Sequence, residues 1–206
     1  MIAVGIKVWR DLTYLQNAVM SAIAIADEII LAFGPKGEFG KPDALEALSL
    51  IGNLRKKNPG KITVIKGTWQ SETDGMNAIW DEVGDGEYFI RLEENEIFTE
   101  KFVAEVNEKL IDLIEANLPM TAQTLHFYQD TDHIIHSTTL DTPNFRGCLV
   151  DHRYGFMDSQ SLYIPGIWDE GNSKSIEIKG KVMSYKYLKT PKEMEKCSIT
   201  PYNPDE

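Results

Sequence analysis

Short apolar runs separated by polar, turn-forming segments set the rhythm of the first half of the chain. Ile2–Val8 is rich in β-branched residues and predicts a buried strand. Leu12, Leu15, Val19, Ala22 and Ile23 then recur on one helical face, with Asp11 placed to cap that helix. A second buried strand is expected at Ile29–Phe33, introduced by Asp27 and Glu28. The glycine- and proline-rich stretch 34–42 reads as a loop. Asp43 and Glu46 form a capping-box pattern for a helix to about Lys57, and Ile62–Ile65 predicts a third strand. Ser71 and Asp74 cap a further helix that turns Met76, Ile79, Trp80 and Val83 inward. Tyr88–Leu92 is the fourth strand, and Thr99 opens a helix to about Ala116 that buries Phe102, Val106, Leu110 and Leu113.

This alternation with short connections implies a mainly parallel sheet with helices on both faces. After Pro119 the texture becomes β-rich. Thr121–Tyr128 and Ile134–Thr139 predict a hairpin, with short strands near 146–150, 175–178 and 182–187. A brief helix is expected at Pro191–Lys196, followed by a frayed tail from Ile199. No linker separates the two halves, so a single domain over 1–206 is expected, divided into an α/β half (1–118) and a β-rich half (119–206).

The chain is organised around Gly86–Thr99, where the fourth strand runs into Glu93-Glu94-Asn95-Glu96. Three carboxylates there repel one another, and in open α/β sheets the carboxyl end of a strand is where ligands bind. A solvated strand-to-helix loop is the alternative. The net charge of −11 and pI near 4.9 argue against a nucleic-acid or anionic-membrane partner. An anionic substrate then needs a local basic patch or a divalent cation. Cys148 and Cys197 lack metal-ligand spacing, which suits a reducing compartment. The start shows no signal-peptide pattern, and no apolar stretch approaches the ~20 residues needed to cross a bilayer. A soluble, cytoplasmic protein is expected.

Several segments, in order, resemble one family. Asp27-Glu28-Ile29-Ile30 is similar to its "DEI" strand, and Asp74-Gly75-Met76-Asn77 to its Asp-x-x-Asn/Arg helix start. Leu92–Thr99 stands where the family writes "L-D-A-D-E-x-F/I-T". Gly166-Ile167-Trp168-Asp169-Glu170 resembles "G-x-x-H-E", and Ser184-Tyr185 with Lys189–Met194 resembles the closing "H-Y … P-E-E-M". The family is the GT-A-fold glycosyltransferases, particularly compact bacterial and phage members of the family 2 type, and the resemblance spans roughly residues 2–190. It implies an α/β, GT-A-like (Rossmann-like) fold with a nucleotide-sugar-binding first half and an acceptor-side second half. It also implies transfer of a sugar from a nucleotide-sugar to a carbohydrate or other hydroxyl acceptor. The family's D-x-D holds Mn²⁺ or Mg²⁺ against the donor diphosphate, and in inverting members a carboxylate deprotonates the acceptor.

Carried onto this chain, the resemblance assigns Glu93 and Asn95 to metal contact, with Glu96 behind them. Asp74, Asn77, Glu93 and Lys36 are assigned to the donor, and Asp169 or Glu170 to the general base. Each has a plainer reading: Asp74 as a helix cap, Asp169-Glu170 as a surface turn. The D-x-D slot holds Glu and Asn, Ser184 replaces the closing His, and Phe33–Gly37 replaces the second acid loop with no acid until Glu38. These departures favour a second hypothesis, an inactive sugar- or nucleotide-binding relative that has lost its metal. A nucleotidyltransferase is a third, opposed by the absence of a glycine-rich basic loop at Val8–Asp11. His133 and His136 have the odd spacing that points strand side chains to opposite faces. Asp151-His152-Arg153 is read as an acceptor or phosphate contact, or as a loop salt bridge. Trp69, Trp168 and Tyr185 are available for stacking, whereas Trp80 belongs to an apolar stripe.

Overall fold

The computed structural model describes residues 1–8, 12–34, 44–69, 71–128, 133–134, 144–153, 155–156, 162–163, 175–187 and 200–201. The first half contains β1 (Ile2–Val8), α1 (Leu15–Ile23), β2 (Glu28–Phe33), α2 (Ala44–Lys57), β3 (Ile62–Lys66), α3 (Glu72–Glu82), β4 (Tyr88–Glu93), β5 (Glu96–Phe98) and α4 (Glu100–Ala116). The second half adds β6 (Met120–Tyr128), β7 (His133–Ile134), β8 (Asn144–Leu149), β9 (Gly155–Phe156), β10 (Leu162–Tyr163), β11 (Ile176–Tyr187) and β12 (Thr200–Pro201).

The alternating pattern produces a parallel sheet in the order β3-β2-β1-β4. β1, β2 and β4 are buried on both faces because each face is covered, whereas the edge strand β3 is fully buried only at Ile62. Val4, Ile6, Ile29, Leu31 and Ile90 pack with α1, α2 and α4, while Ala3, Ile30 and Phe89 pack with Met76, Ile79 and Trp80 of α3. Trp80 meets Phe89 and Phe156 edge to face, as its place on an apolar stripe predicts.

Beyond β4 the sheet changes character. β8 runs antiparallel to β4 and β6, and β6 pairs in parallel with β11. β11 in turn pairs antiparallel with β5. The expected β6–β7 hairpin pairing is present at Phe127 and Ile134. The architecture is thus a mixed α/β sheet, parallel in its first half and mostly antiparallel in its second.

Four local expectations are corrected. The first helix begins at Leu15, after Tyr14, with no side-chain cap; Asp11, its expected cap, lies outside the described residues. The strands expected at 175–178 and 182–187 are one strand, β11, with a register shift between Ile178 and Val182. Gly180 allows a close approach there: a Cβ would land on the backbone N and Cα of Phe102. The tail expected to fray supplies Thr200 and Pro201, which pair with β7. Finally, the segment after β4 is no solvated loop. Glu94 and Asn95 make a two-residue turn into β5, and Glu94 and Glu96 are only 5% and 3% exposed. The helix expected at 191–196 and the segment 135–139 lie outside the described residues.

The caps of α3 and α4 form as their residues predict. Ser71 Oγ accepts from the Asp74 amide at 3.1 Å, and Asp74 Oδ2 accepts from the Ser71 amide at 2.9 Å. Thr99 Oγ1 accepts from the Phe102 amide at 3.2 Å.

Candidate functional site

β4 carries its chemistry to the carboxyl edge of the parallel sheet. Strand alternation places Arg91 and Glu93 on the same face as Phe89, the α3 side, while Tyr88, Ile90 and Leu92 face the other core. In the β1–β4 register Lys7 stands beside Glu93 and Gly5 beside Arg91. Lys7, only 4% exposed, runs its side chain past Gly75 near the start of α3. Two buried cations and one partly buried carboxylate therefore meet where the sequence shows only an acidic cluster. Lys7 and Arg91 look like stray charges in apolar strands; a cation on the ligand-binding end of a strand was the available signal.

The carboxylates do not repel one another because each of two has its own guanidinium. Arg91 Nη2 donates to Glu93 Oε1 at 2.9 Å. Arg146, from β8, grips Glu96 with both nitrogens, Nη1 to Oε2 at 2.7 Å and Nη2 to Oε1 at 3.0 Å, and also donates to Thr124 Oγ1. Arg146 is 1% exposed. Burial by itself pushes the Glu96 carboxyl up, but the charge and hydrogen bonds of Arg146, with Arg91 and the Glu93 amide, outweigh it and hold the group below its ordinary range. Glu96 is thus an anchor: its Oε2 also accepts from the Glu93 amide at 3.1 Å and so braces the turn. The Asn95 carbonyl accepts from the Tyr185 amide at 2.9 Å, tying the turn's other end to β11.

Asn95 Oδ1 is buried with no hydrogen-bond partner among the described residues. An orphaned amide oxygen beside a ligand edge is a hard, neutral donor. Glu93, however, already has one oxygen on Arg91, and among the described residues no three His, Cys, Asp or Glu side chains gather to hold a metal. The described donor set is thin for a divalent cation, which wants several oxygen ligands, and is partly neutralised by a fixed guanidinium. It does not by itself make a metal cage.

Asp74 is exposed and holds the α3 cap. Asn77 gives its amide to β9: Nδ2 donates to the Phe156 carbonyl at 3.2 Å and Oδ1 accepts from the Phe156 amide at 2.7 Å. The structure thus engages both residues in the fold beside the site. Lys36, Asp169, Glu170 and Trp168 lie outside the described residues, as does His136. Trp69 packs its indole against Gly34 and Gly67, at the carboxyl ends of β2 and β3, and its Nε1 is buried without a partner among the described residues. Tyr185 is stacked by Tyr14 at 4.7 Å and by Phe127 at 5.3 Å, so its ring faces are taken. Ser184 is buried opposite Glu96 of β5 and His126 of β6. Asp151 and Arg153 form an exposed pair, with Nε 2.9 Å from Oδ1, and Arg153 holds the Asp151 carboxyl down to about 2. His152 Nε2 lies 2.8 Å from the Val83 carbonyl, at the end of α3.

No protein-family model matches the chain, and no curated protein matches it. Solved structures do resemble it in part. The crystal structure of S. aureus TarS 1–349 is similar over 68% of this chain and 42% of that one, at 10% identity and a TM-score of 0.42. A second S. aureus TarS structure is similar over 61% of this chain and 22% of that one, at 10% identity and a TM-score of 0.40. GalNAc-T7, solved with UDP, GalNAc and Mn²⁺, is similar over 60% of this chain and 22% of that one, at 15% identity and a TM-score of 0.45. The chain therefore spans less than half the length of each of these proteins.

Proposed function

We propose that this chain binds a nucleotide-sugar at the carboxyl edge of β1 and β4 and transfers its sugar to a hydroxyl acceptor. The observation that carries the reading is the meeting of Lys7, Arg91, Glu93 and the orphaned Asn95 oxygen at the ligand-binding edge of a parallel sheet. The order of family-like segments in the sequence agrees with it. A diphosphate concentrates negative charge, and Lys7 and Arg91 offset the acidity of the turn that faces it. Glu93 and Asn95 are the residues that would hold a divalent cation, whose chemistry there would be neutralisation of the leaving group. Asp74 lies at the edge of the donor site, and Lys36 is assigned to the diphosphate. Asp169 or Glu170 is the proposed base for the acceptor hydroxyl.

A second reading, a binding module without transferase activity, is favoured by the Arg91–Glu93 pair, which fills one metal-facing oxygen with a protein cation. A thermal-shift screen separates the two, using UDP, GDP, dTDP and CDP and their sugar conjugates, each with Mn²⁺ and with EDTA. A ligand at a hundred times its dissociation constant adds about 2.7 kcal/mol. Stabilisation by one nucleotide only with Mn²⁺, lost in Glu93→Gln, supports the transferase. A metal-independent shift, lost in Arg91→Met, supports the module. The absence of any shift refutes the transferase in favour of an inactive relative that binds something else.

A further inference from the structure

The chain is acidic overall, yet residues 47–71 contain five Lys or Arg and not one Asp or Glu. Three of the cations, Arg55, Lys56 and Lys57, crowd the last turn of α2, and all three are exposed. A helix C-terminus favours cations by itself. It does not require the open hollow of about 590 Å³ beside them, lined by Gly52, Arg55, Lys56, Gly60, Ile62 and Thr63 among others. Both glycines face open space, and Gly60 has φ +76°, a left-handed conformation that keeps the Pro59-Gly60 turn free of a side chain. Ile62, 6% exposed, provides an apolar floor. Lys61 Nζ is anchored on the Ala26 carbonyl at 2.9 Å, which fixes a further positive charge near the turn. A nearby carboxylate, Glu28, accepts from Thr63 Oγ1.

β3 runs parallel to β2, β1 and β4, so its start lies at the amino edge of the sheet, opposite the turn that follows β4. A donor diphosphate at the carboxyl edge cannot occupy this hollow. We propose that the hollow between the end of α2 and the start of β3 is a separate anion site that takes a phosphate group, held by the Arg55 guanidinium and the Lys56 ammonium. Arg suits the site because its planar fork matches phosphate oxygens, and Lys adds a point charge. A basic face on a chain of net charge −11 also selects against neutral ligands and orients the molecule toward a phosphate-bearing one. The phosphate belongs either to a small soluble ester or to a lipid headgroup, and the chemistry of capture is the same.

The test uses the full chain in EDTA, which removes any contribution of a cation at the opposite edge. Calorimetric titration with inorganic phosphate reports the soluble form. Cosedimentation with vesicles of phosphatidylcholine containing phosphatidic acid, against phosphatidylcholine alone, reports the lipid form. Binding of either probe is expected, weakened roughly tenfold or more in Arg55→Glu/Lys56→Glu and unchanged in the surface charge reversal Lys101→Glu on α4. Both substituted side chains are exposed, so a thermal melt matching the parent confirms that the variant is folded. Failure of both probes to bind overturns the proposal. So does binding that survives Arg55→Glu/Lys56→Glu, or binding that is lost equally in Lys101→Glu. None of these results touches the nucleotide-sugar reading, which is scored at the other edge.

Discussion

Replacing Arg146 with Met removes the side chain that makes a buried Glu96 tolerable. Arg146 and Glu96 are 1% and 3% exposed and share two hydrogen bonds of 2.7 and 3.0 Å. Thr124 Oγ1 loses its donor as well. Breaking a buried pair from one side leaves an uncompensated charge and costs about 3–5 kcal/mol. For a chain of this length that is a fall in melting temperature of roughly 6–20 °C. The pH dependence identifies the cause. In the parent, Glu96 is held below its ordinary range, so its contribution is present above the unfolded carboxyl value and is lost as pH falls through the lowered folded value. Without Arg146 the burial effect dominates and raises that folded value, so the variant is penalised most at neutral pH. Its deficit shrinks as acid protonates Glu96. Urea denaturation of the parent, Arg146→Met and Arg146→Met/Glu96→Gln between pH 4 and 8 reads both effects. The double variant, which removes the stranded charge, should regain about 2 kcal/mol at pH 7. A deficit below about 1 kcal/mol, a deficit independent of pH, or a double variant no better than the single one would refute the reasoning.

Other consequences are simpler to check. Gly180→Ala forces a Cβ onto the Phe102 backbone and should lower stability by about 1–3 kcal/mol or more in urea melts, with α4 displaced from β11. Asn77→Ala strips both hydrogen bonds from Phe156 and should cost about 1–3 kcal/mol, with faster amide exchange confined first to β9. Cys148 is 3% exposed, and burial pushes its thiol up, so a thiol reagent at pH 8 should modify it only at the rate of opening or unfolding. Rapid labelling of the native protein at Cys148 would contradict that placement.

The boundary between what was legible and what was not follows the range of the forces involved. Hydrophobic periodicity and capping act between residues a few positions apart. The strands Ile2–Val8 and Tyr88–Leu92, the Ser71–Asp74 box and the Thr99 cap could therefore be read directly from the chain. So could the parallel, two-faced character of the first half, because strands apolar on both sides require cover on both sides. Pairing in the second half could not be read in this way. β11 joins β6 in parallel and β5 in antiparallel fashion, and nothing local in Ile176–Tyr187 names either partner. The site divides along the same line. The acidic turn after β4 was visible in the sequence as an oddity, but its meaning depends on Arg146, fifty positions away from Glu96, and on Lys7, brought alongside Glu93 by strand register. By itself the sequence determined that four apolar runs alternating with amphipathic helices would build a mainly parallel sheet, with an acidic cluster after the fourth strand. Only the tertiary structure decided which carboxylates are neutralised and which oxygen is left to meet a ligand, because charges choose partners by distance in space and by burial, not by order along the chain.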